Sequence, residues 1–206
     1  FAFVQQIMPN QSVQDLTAAT SMTTPKIRSA TAADIPAITA IYRPAVLTGS
    51  ASFEIDPPSE AEMSKRFVAI IGAGLPYFVG EHDGCVAGYA YATAYRARPG
   101  YRFTIEDSIY IAPEAQGKGI GRALLATLLE TSTRLGYRQM IAAIGDSANH
   151  ASIGLHRAAG FTMSGTLHAV GYKHGRWLDS VFMQRALGPG DTAPPLLGRK
   201  SASGKV

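Results

Sequence analysis

Between residues 104 and 125 the chain reads Thr-Ile-Glu-Asp-Ser-Ile-Tyr-Ile-Ala-Pro-Glu-Ala-Gln-Gly-Lys-Gly-Ile-Gly-Arg-Ala-Leu-Leu. The glycine-rich segment Gln116-Gly117-Lys118-Gly119-Ile120-Gly121 runs straight into a helix-forming stretch, 122–130. A turn of this kind at a helix start leaves several backbone N–H groups unpaired at the positive end of the helix dipole. That is an anion site, and a pyrophosphate is its natural occupant. The spacing G-x-G-x-x-G is not met, because the third glycine is Gly121, and no Gly-Lys-Ser/Thr triplet makes a P-loop. Ahead of the turn, residues 105–111 alternate as a strand that Pro113 ends. The alternation puts Glu106, Ser108 and Tyr110 on one face and Asp107 on the other. Glu106 is thus a candidate general base beside an anion site; its plainer reading is an edge carboxylate in a solvated ion pair.

His156 falls seven residues after Asn149 and four before Gly160, inside a segment of helical character. A lone helix histidine is more often structural than reactive, and by that rule His150, His168 and His174 read as structural. Arg96 and Arg98 lie in the loop before the 105–111 strand, where a guanidinium offers bidentate binding to a carboxylate. Surface solvation is the alternative for either. Phe53 and Tyr101 are candidate apolar walls, although aromatics commonly belong to the core. No Cys/His cluster or paired-carboxylate pattern suggests a metal.

These groups need a scaffold, and periodicity supplies one. A short strand begins at Ile27, and Thr31 with Asp34 has capping-box spacing ahead of Ile35, Ile38, Ile41 and Tyr42 at helical intervals. Ser59 caps a second helix that Gly72 and Gly74 end. Strands follow at 77–80 and 85–95, joined through Asp83-Gly84, a hairpin signal. After the organising strand, the glycine turn and its helix come a fully apolar strand at 140–144, expected to be buried on both faces, and a helix at 149–159 stopped by Gly160. Strands at 161–170 and 181–184 close the chain. The order β-α-α-β-β-β-α-β-α-β-β predicts an α/β (α+β) mixed sheet with helices on both faces.

At 206 residues this is one domain with tails: an extension over 1–25, expected to be flexible, a working domain over 26–187 and a disordered tail over 188–206. The pI near 9.3 raises a nucleic-acid reading. Between 27 and 187, however, fifteen Lys/Arg face thirteen Asp/Glu, scattered and without a known nucleic-acid motif. No run approaches the roughly 18–20 apolar residues that span a bilayer, so neither nucleic acid nor membrane is an expected partner. The single cysteine, Cys85, excludes an internal disulfide and fits a reducing, cytoplasmic compartment; within its strand it reads as a buried small hydrophobe.

The pattern Gln-x-x-Gly-x-Gly at 116–121 resembles the acetyl-CoA signature of the GNAT superfamily of N-acetyltransferases. The likeness sharpens at Ala51-Ser52-Phe53-Glu54 with Pro57-Pro58, and at Arg96-Ala97-Arg98-Pro99-Gly100-Tyr101 with 104–110. It continues at Asn149 with Ser152, Leu155-His156 and Gly160-Phe161, and at Val170-Gly171-Tyr172-Lys173-His174-Gly175-Arg176-Trp177-Leu178-Asp179. Together these look like the phosphinothricin / methionine sulfone N-acetyltransferase branch, over about 27–187. The resemblance implies a GNAT fold with a mostly antiparallel sheet and acetyl-CoA as co-substrate, with no metal. It implies direct attack of an amine on the thioester. It places the pyrophosphate on the backbone of Gln116, Gly117, Lys118, Gly119, Ile120, Gly121 and Arg122, the pantetheine along Ile109, Tyr110 and Ile111, and Asn149 against CoA. Glu106 takes the role of base, and His156 that of proton donor to the thiolate, where the superfamily commonly has tyrosine. Phe53, Arg96, Arg98, Tyr101, Glu106, Asp107 and Ser108 would surround a small-molecule, amino-acid-like acceptor in a homodimeric enzyme. A protein N-terminal or lysine acetyltransferase, and a non-catalytic acyl-CoA-binding module, are the alternatives.

Overall fold

In the computed structural model the described residues, 24–195, form one seven-stranded sheet in the order β1-β2-β3-β4-β5-β7-β6. The elements are β1 (Lys26–Ser29), α1 (Ile35–Leu47), α2 (Glu60–Gly72), β2 (Tyr77–His82), β3 (Cys85–Ala94) and β4 (Thr104–Ile111). They continue with α3 (Ile120–Arg134), β5 (Gln139–Gly145), α4 (His150–Ala158), β6 (Thr162–Lys173) and β7 (Arg176–Ala186). The order of strands and helices is the one the periodicity predicts. Neighbouring strands are antiparallel except β4 and β5.

The two faces of the sheet differ in residue size, and this sets what packs on each. Tyr77, Tyr89, Tyr91 and Tyr110 stack along one face and meet Tyr42 of α1 and Phe67 of α2 edge-on. The opposite face is cut down to admit α3. A Cβ at Gly80 would lie 2.8 Å from Ile120, and one at Gly88 would lie 2.6 Å from Ile111. Leu124, Leu125 and Leu128 are fully buried against that face, each worth about 1.5–3 kcal/mol of apolar burial. At the start of α1, Thr31 donates its N–H and its hydroxyl to the Asp34 carboxylate, which also receives both terminal nitrogens of Arg28.

The feature that matters for function is where the sheet stops being continuous. β4 and β5 pair only from Thr104↔Gln139 to Asp107↔Ala142. Beyond that point β4 stays with β3 as far as Ile111↔Gly88, while β5 follows β7 as far as Gly145↔Ser180. The two halves of the sheet splay apart, leaving the β4 edge from Ser108 to Ile111 without a neighbour on the β5 side.

Several local expectations are corrected. Cys85 is exposed, because it is the first residue after the hairpin turn. β5 is not buried on both faces: Ile141 is half-buried, and Ala143, just past the end of the β4–β5 ladder, is exposed. A 3-10 turn, Ala32–Asp34, precedes α1. β6 and β7 are longer than their apolar cores suggest. They meet at His174-Gly175, both in the left-handed region, as a two-residue hairpin requires. The first part of the expected disordered tail, 188–195, forms turns, and Arg138 donates to the carbonyls of Ala193 and Pro194 at 2.8 and 2.9 Å. The remainder of that tail, 196–206, and residues 1–23 of the expected flexible extension lie outside the described residues. Among the described residues no helix is long and apolar enough to cross a membrane.

Candidate active site

The splay between β4 and β5 opens a cavity of about 690 Å³ on the α3–α4 side, lined by Asp107, Ile109, Ile111, Gly117, Asn149 and His156 among others. A second cavity of about 390 Å³ is lined by Phe53, Glu54, Glu106, Ser180 and their neighbours. Ser108, Tyr110, Ala143 and Gly145 line both, so the two meet across the gap between the strands.

In the larger cavity the glycine turn is shaped by backbone conformation. Gly117 and Gly119 adopt φ of 76° and 80°, the left-handed region that side chains disfavour. Gly119 is the N-cap of α3, so the first N–H groups of that helix point out of the turn unpaired. Gln116 and Arg122 line this cavity as well, and Gly121 sits where Leu155 passes at contact distance. Ile120 contributes its backbone there while its side chain fills the core under Gly80 and Gly88. Lys118 is exposed and lines neither cavity. Along the β4 edge, Ile109-Tyr110-Ile111 present peptide groups not used by β5, which is what an extended amide chain needs in order to add as a strand. Asn149 caps α4 by accepting from the Ser152 N–H at 3.1 Å, and it lines the cavity too. Of its two sequence readings, the helix N-cap is the one observed here.

His156 and Asp107 form a pair that sequence reasoning missed. Nε2 of His156 lies 2.9 Å from Asp107 Oδ2, and Nδ1 lies 2.8 Å from the Ser152 carbonyl oxygen. A carbonyl only accepts, so the bond to Ser152 requires a proton on Nδ1; a proton on Nε2 as well lets the ring donate to Asp107, and the imidazolium is the form these partners favour. Burial alone would drive its pKa down, yet the hydrogen bond and charge of Asp107 and the Ser152 carbonyl outweigh burial and raise it. Asp107 and His156 are only 6% and 4% exposed, and Asp107 Oδ1 has no hydrogen-bond partner among the described residues. Phe161 closes the ring's other side, edge-on at 5.0 Å.

Glu106 turns the other way, as the alternation predicts, into the smaller cavity with Ser108. Burial raises its pKa, the neighbouring Asp107 charge adds to the rise, and Arg96 opposes it. Burial and a like charge are the conditions that make a carboxylate a better base. The remaining acceptor candidates divide. Phe53 lines the smaller cavity. Arg96, Arg98 and Tyr101 lie exposed on the loop before β4 and line neither cavity; Arg96 stands over the Tyr95 ring at 5.1 Å and Tyr101 packs edge-on against the same ring. Glu54, part of the 51–54 motif and bonded to Arg66 at 2.7 Å, joins the smaller cavity, as does Ser180, which no local signal marked. No cluster of three or more His, Cys, Asp or Glu suited to a metal occurs among the described residues.

Comparison with known proteins gives one answer. The family model described as Acetyltransferase (GNAT) family matches residues 40–161. A phosphinothricin N-acetyltransferase from Alcaligenes faecalis is 57% identical over 162 residues, 79% of this chain and 82% of that protein. An L-methionine sulfoximine/L-methionine sulfone acetyltransferase from Pseudomonas paraeruginosa is 43% identical over 169 residues, 82% of this chain and 98% of that protein. Among solved structures, a GNAT superfamily phosphinothricin acetyltransferase from Sinorhizobium meliloti in complex with acetyl-CoA superposes with a TM-score of 0.83. It is 56% identical and covers 85% of this chain and 95% of that one.

Proposed function

Because the chain belongs to the GNAT family of acetyltransferases and is an acetyl-CoA-dependent N-acetyltransferase, we propose that its acceptor is the α-amino group of an amino acid or close analogue. The type is that of phosphinothricin, methionine sulfone or methionine sulfoximine, the compounds that relatives are named for. The observation that carries the reading is the gap between β4 and β5. It joins the cavity holding the anion turn to the one holding Glu106.

Acetyl-CoA supplies an already activated thioester, so the chain's own task is positioning, proton removal and charge stabilisation in a ternary complex. The backbone from Gln116 to Arg122 fits a pyrophosphate, and the free β4 edge at 109–111 fits the pantetheine amides. Asn149, at the head of α4, faces the same cavity. In the proposed mechanism Glu106 takes the proton from the ammonium form of the acceptor, and the amine then attacks directly. His156, whose two ring nitrogens are taken by Asp107 and the Ser152 carbonyl, supplies positive charge at the wall where the thiolate departs rather than a directly aimed proton. Phe53 and Ser108 shape the acceptor cavity. Arg96, close enough for its charge to act on Glu106, is the candidate for the acceptor's carboxylate; Arg98 and Tyr101 extend the same exposed loop.

We further propose a homodimer. The edge strand β6 and its hairpin expose Met163, Leu167, Val170, Tyr172 and Trp177, each at least half exposed, a surface suited to a second copy. One cysteine in the chain and the need for acetyl-CoA support a cytoplasmic setting.

The test is thiol release from acetyl-CoA against sulfone, sulfoximine and phosphinate amino acids, common amino acids, polyamines and peptides, with wild type beside Glu106→Gln. Turnover on the small analogues, lost in the variant, is expected. Turnover on peptides alone would make this a protein acetyltransferase, and tight acetyl-CoA binding with no turnover would make it a binding module.

A further inference from the structure

The segment 170–179, the most distinctive stretch of the sequence, contributes only Leu178's neighbourhood to the core and no group to the chemistry above. Its side chains nonetheless converge on one target. Lys173 is 3% exposed, and its ammonium donates to the carbonyl oxygens of Ser52 at 2.6 Å, Gly49 at 3.0 Å and Ala45 at 3.4 Å. Three donors thus meet three acceptors of the backbone that leaves α1. Two residues away, Gly171 gives its space to Phe53: a Cβ there would lie 2.5 Å from Phe53 Cε1. On the opposite side Gly145 of β5 does the same for Ser50, whose carbonyl oxygen would lie 2.3 Å from an added Cβ. The segment 49–54 is therefore packed against Gly145 of β5 and Gly171 of β6, across the β7 strand between them, with Lys173 bonded to its backbone. Its outward residues Phe53 and Glu54 form a wall of the smaller cavity, and Gly49, Ser50 and Ala51 border the larger one.

We propose that the β6–β7 hairpin is a clamp that positions the acceptor wall, with Lys173 as its positioning residue: the buried ammonium fixes where Phe53 and Glu54 stand relative to Glu106. A buried cation is an expensive way to close a loop, since an apolar residue of similar length avoids its desolvation. What the ammonium adds is direction, because three convergent N–H bonds tie the last turn of α1 and two points of the loop after it to one place. Lys173 touches neither substrate nor the reacting atoms. The proposal rests on the reading of the smaller cavity as the acceptor site.

The experiment compares wild type with Lys173→Met and, separately, Gly171→Ala, which displaces the Phe53 ring without touching the ammonium. Three readouts are needed: KM for the best amine of the panel, the acetyl-CoA dissociation constant, and amide hydrogen exchange over 45–54. The expected result is a rise in the amine KM of about tenfold in both variants, an acetyl-CoA affinity held within about twofold, and faster exchange over that segment in Lys173→Met. A purely structural lysine would lower melting temperature while leaving the amine KM unchanged, or weaken both substrates together, and either outcome overturns the proposal. If Lys173→Met does not fold, the amine KM of Gly171→Ala decides. If wild type turns over no amine, the function reading fails but exchange still judges the clamp: unchanged exchange in Lys173→Met overturns it.

Discussion

Replacing Asp107 with asparagine keeps the shape of the side chain and removes its charge, and the His156 geometry makes the outcome calculable. In wild type the imidazolium has two committed N–H groups, one to the Ser152 carbonyl and one to Asp107 at 2.9 Å. A hydrogen bond to a charged group contributes about 1.5–3 kcal/mol. The larger cost of about 3–5 kcal/mol for a broken buried ion pair applies when the surviving charge has no escape, and His156 has one, since it can lose its proton. The lower range therefore governs. At about 2–4 °C per kcal/mol for a domain of this size, the melting temperature should fall by roughly 3–12 °C.

The pH dependence of that gap is the sharper test. His156 has a folded-state pKa above its unfolded value of 6.5, through the Asp107 bond and charge and the Ser152 carbonyl acting against burial. The pair's contribution is then fully present below pH 6.5 and is lost as pH rises through the folded value. Glu106 acts in the same sense. The Asp107 charge helps burial to raise its pKa, so removing that charge relieves the ionised Glu106 and favours the variant as pH rises. Arg96, which opposes that rise in Glu106, keeps its charge throughout. Melting curves of wild type and Asp107→Asn between pH 5 and 9 should show the widest gap at the acid end, narrowing upward. A gap that is flat, or that widens with pH, would refute the imidazolium assignment.

For Glu106→Gln, kcat/KM should drop by about 10²–10⁴-fold, the usual contribution of a general base. In wild type the acid limb of kcat/KM should lie above the ordinary glutamate value, because burial and Asp107 raise the carboxyl and activity fails once it is protonated; a pH–rate profile checks both statements. Gly119→Ala should cost about 1–2 kcal/mol in denaturant melts. Its φ is 80° and nothing lies within 4 Å of an added Cβ, so the penalty is conformational, and it should come with weaker acetyl-CoA binding by calorimetry. Cys85, exposed at the β2–β3 turn and lining neither cavity, should react with a thiol reagent in the native protein and leave turnover unchanged.

What was legible in the sequence is what depends on neighbours along the chain. The glycine turn, the alternation that parts Glu106 from Asp107, the Asn149 cap and the order of strands and helices all follow from local spacing, and all are present. The partner of His156 was not legible, because it lies 49 residues away and is fixed by the parallel register of β4 on β5 together with the docking of α4. Cys85 and Ala143 were misjudged for a related reason. An apolar run announces burial only if the sheet continues beside it, and at both positions it ends. Residues 188–195 looked like a tail by composition, yet two carbonyls for one arginine suffice to hold the segment to the body.

The same distinction gives the proposed site its place where the sheet parts. A continuous β4–β5 ladder would satisfy every backbone group of 108–111 internally and leave nothing to receive an extended amide chain. Parting after Asp107↔Ala142 leaves that edge free, opens a passage between the faces, and lets one strand send Glu106 to one side and Asp107, the partner of His156, to the other. Parting also removes the ladder that would have held the two halves together at their open end. The segment 49–54, wedged against Gly145 of one half and bordering Ser108 and Tyr110 of the other, spans that opening, and Lys173 holds the wedge. A buried ammonium that looks misplaced as a core residue thus stands where a split sheet needs a tie.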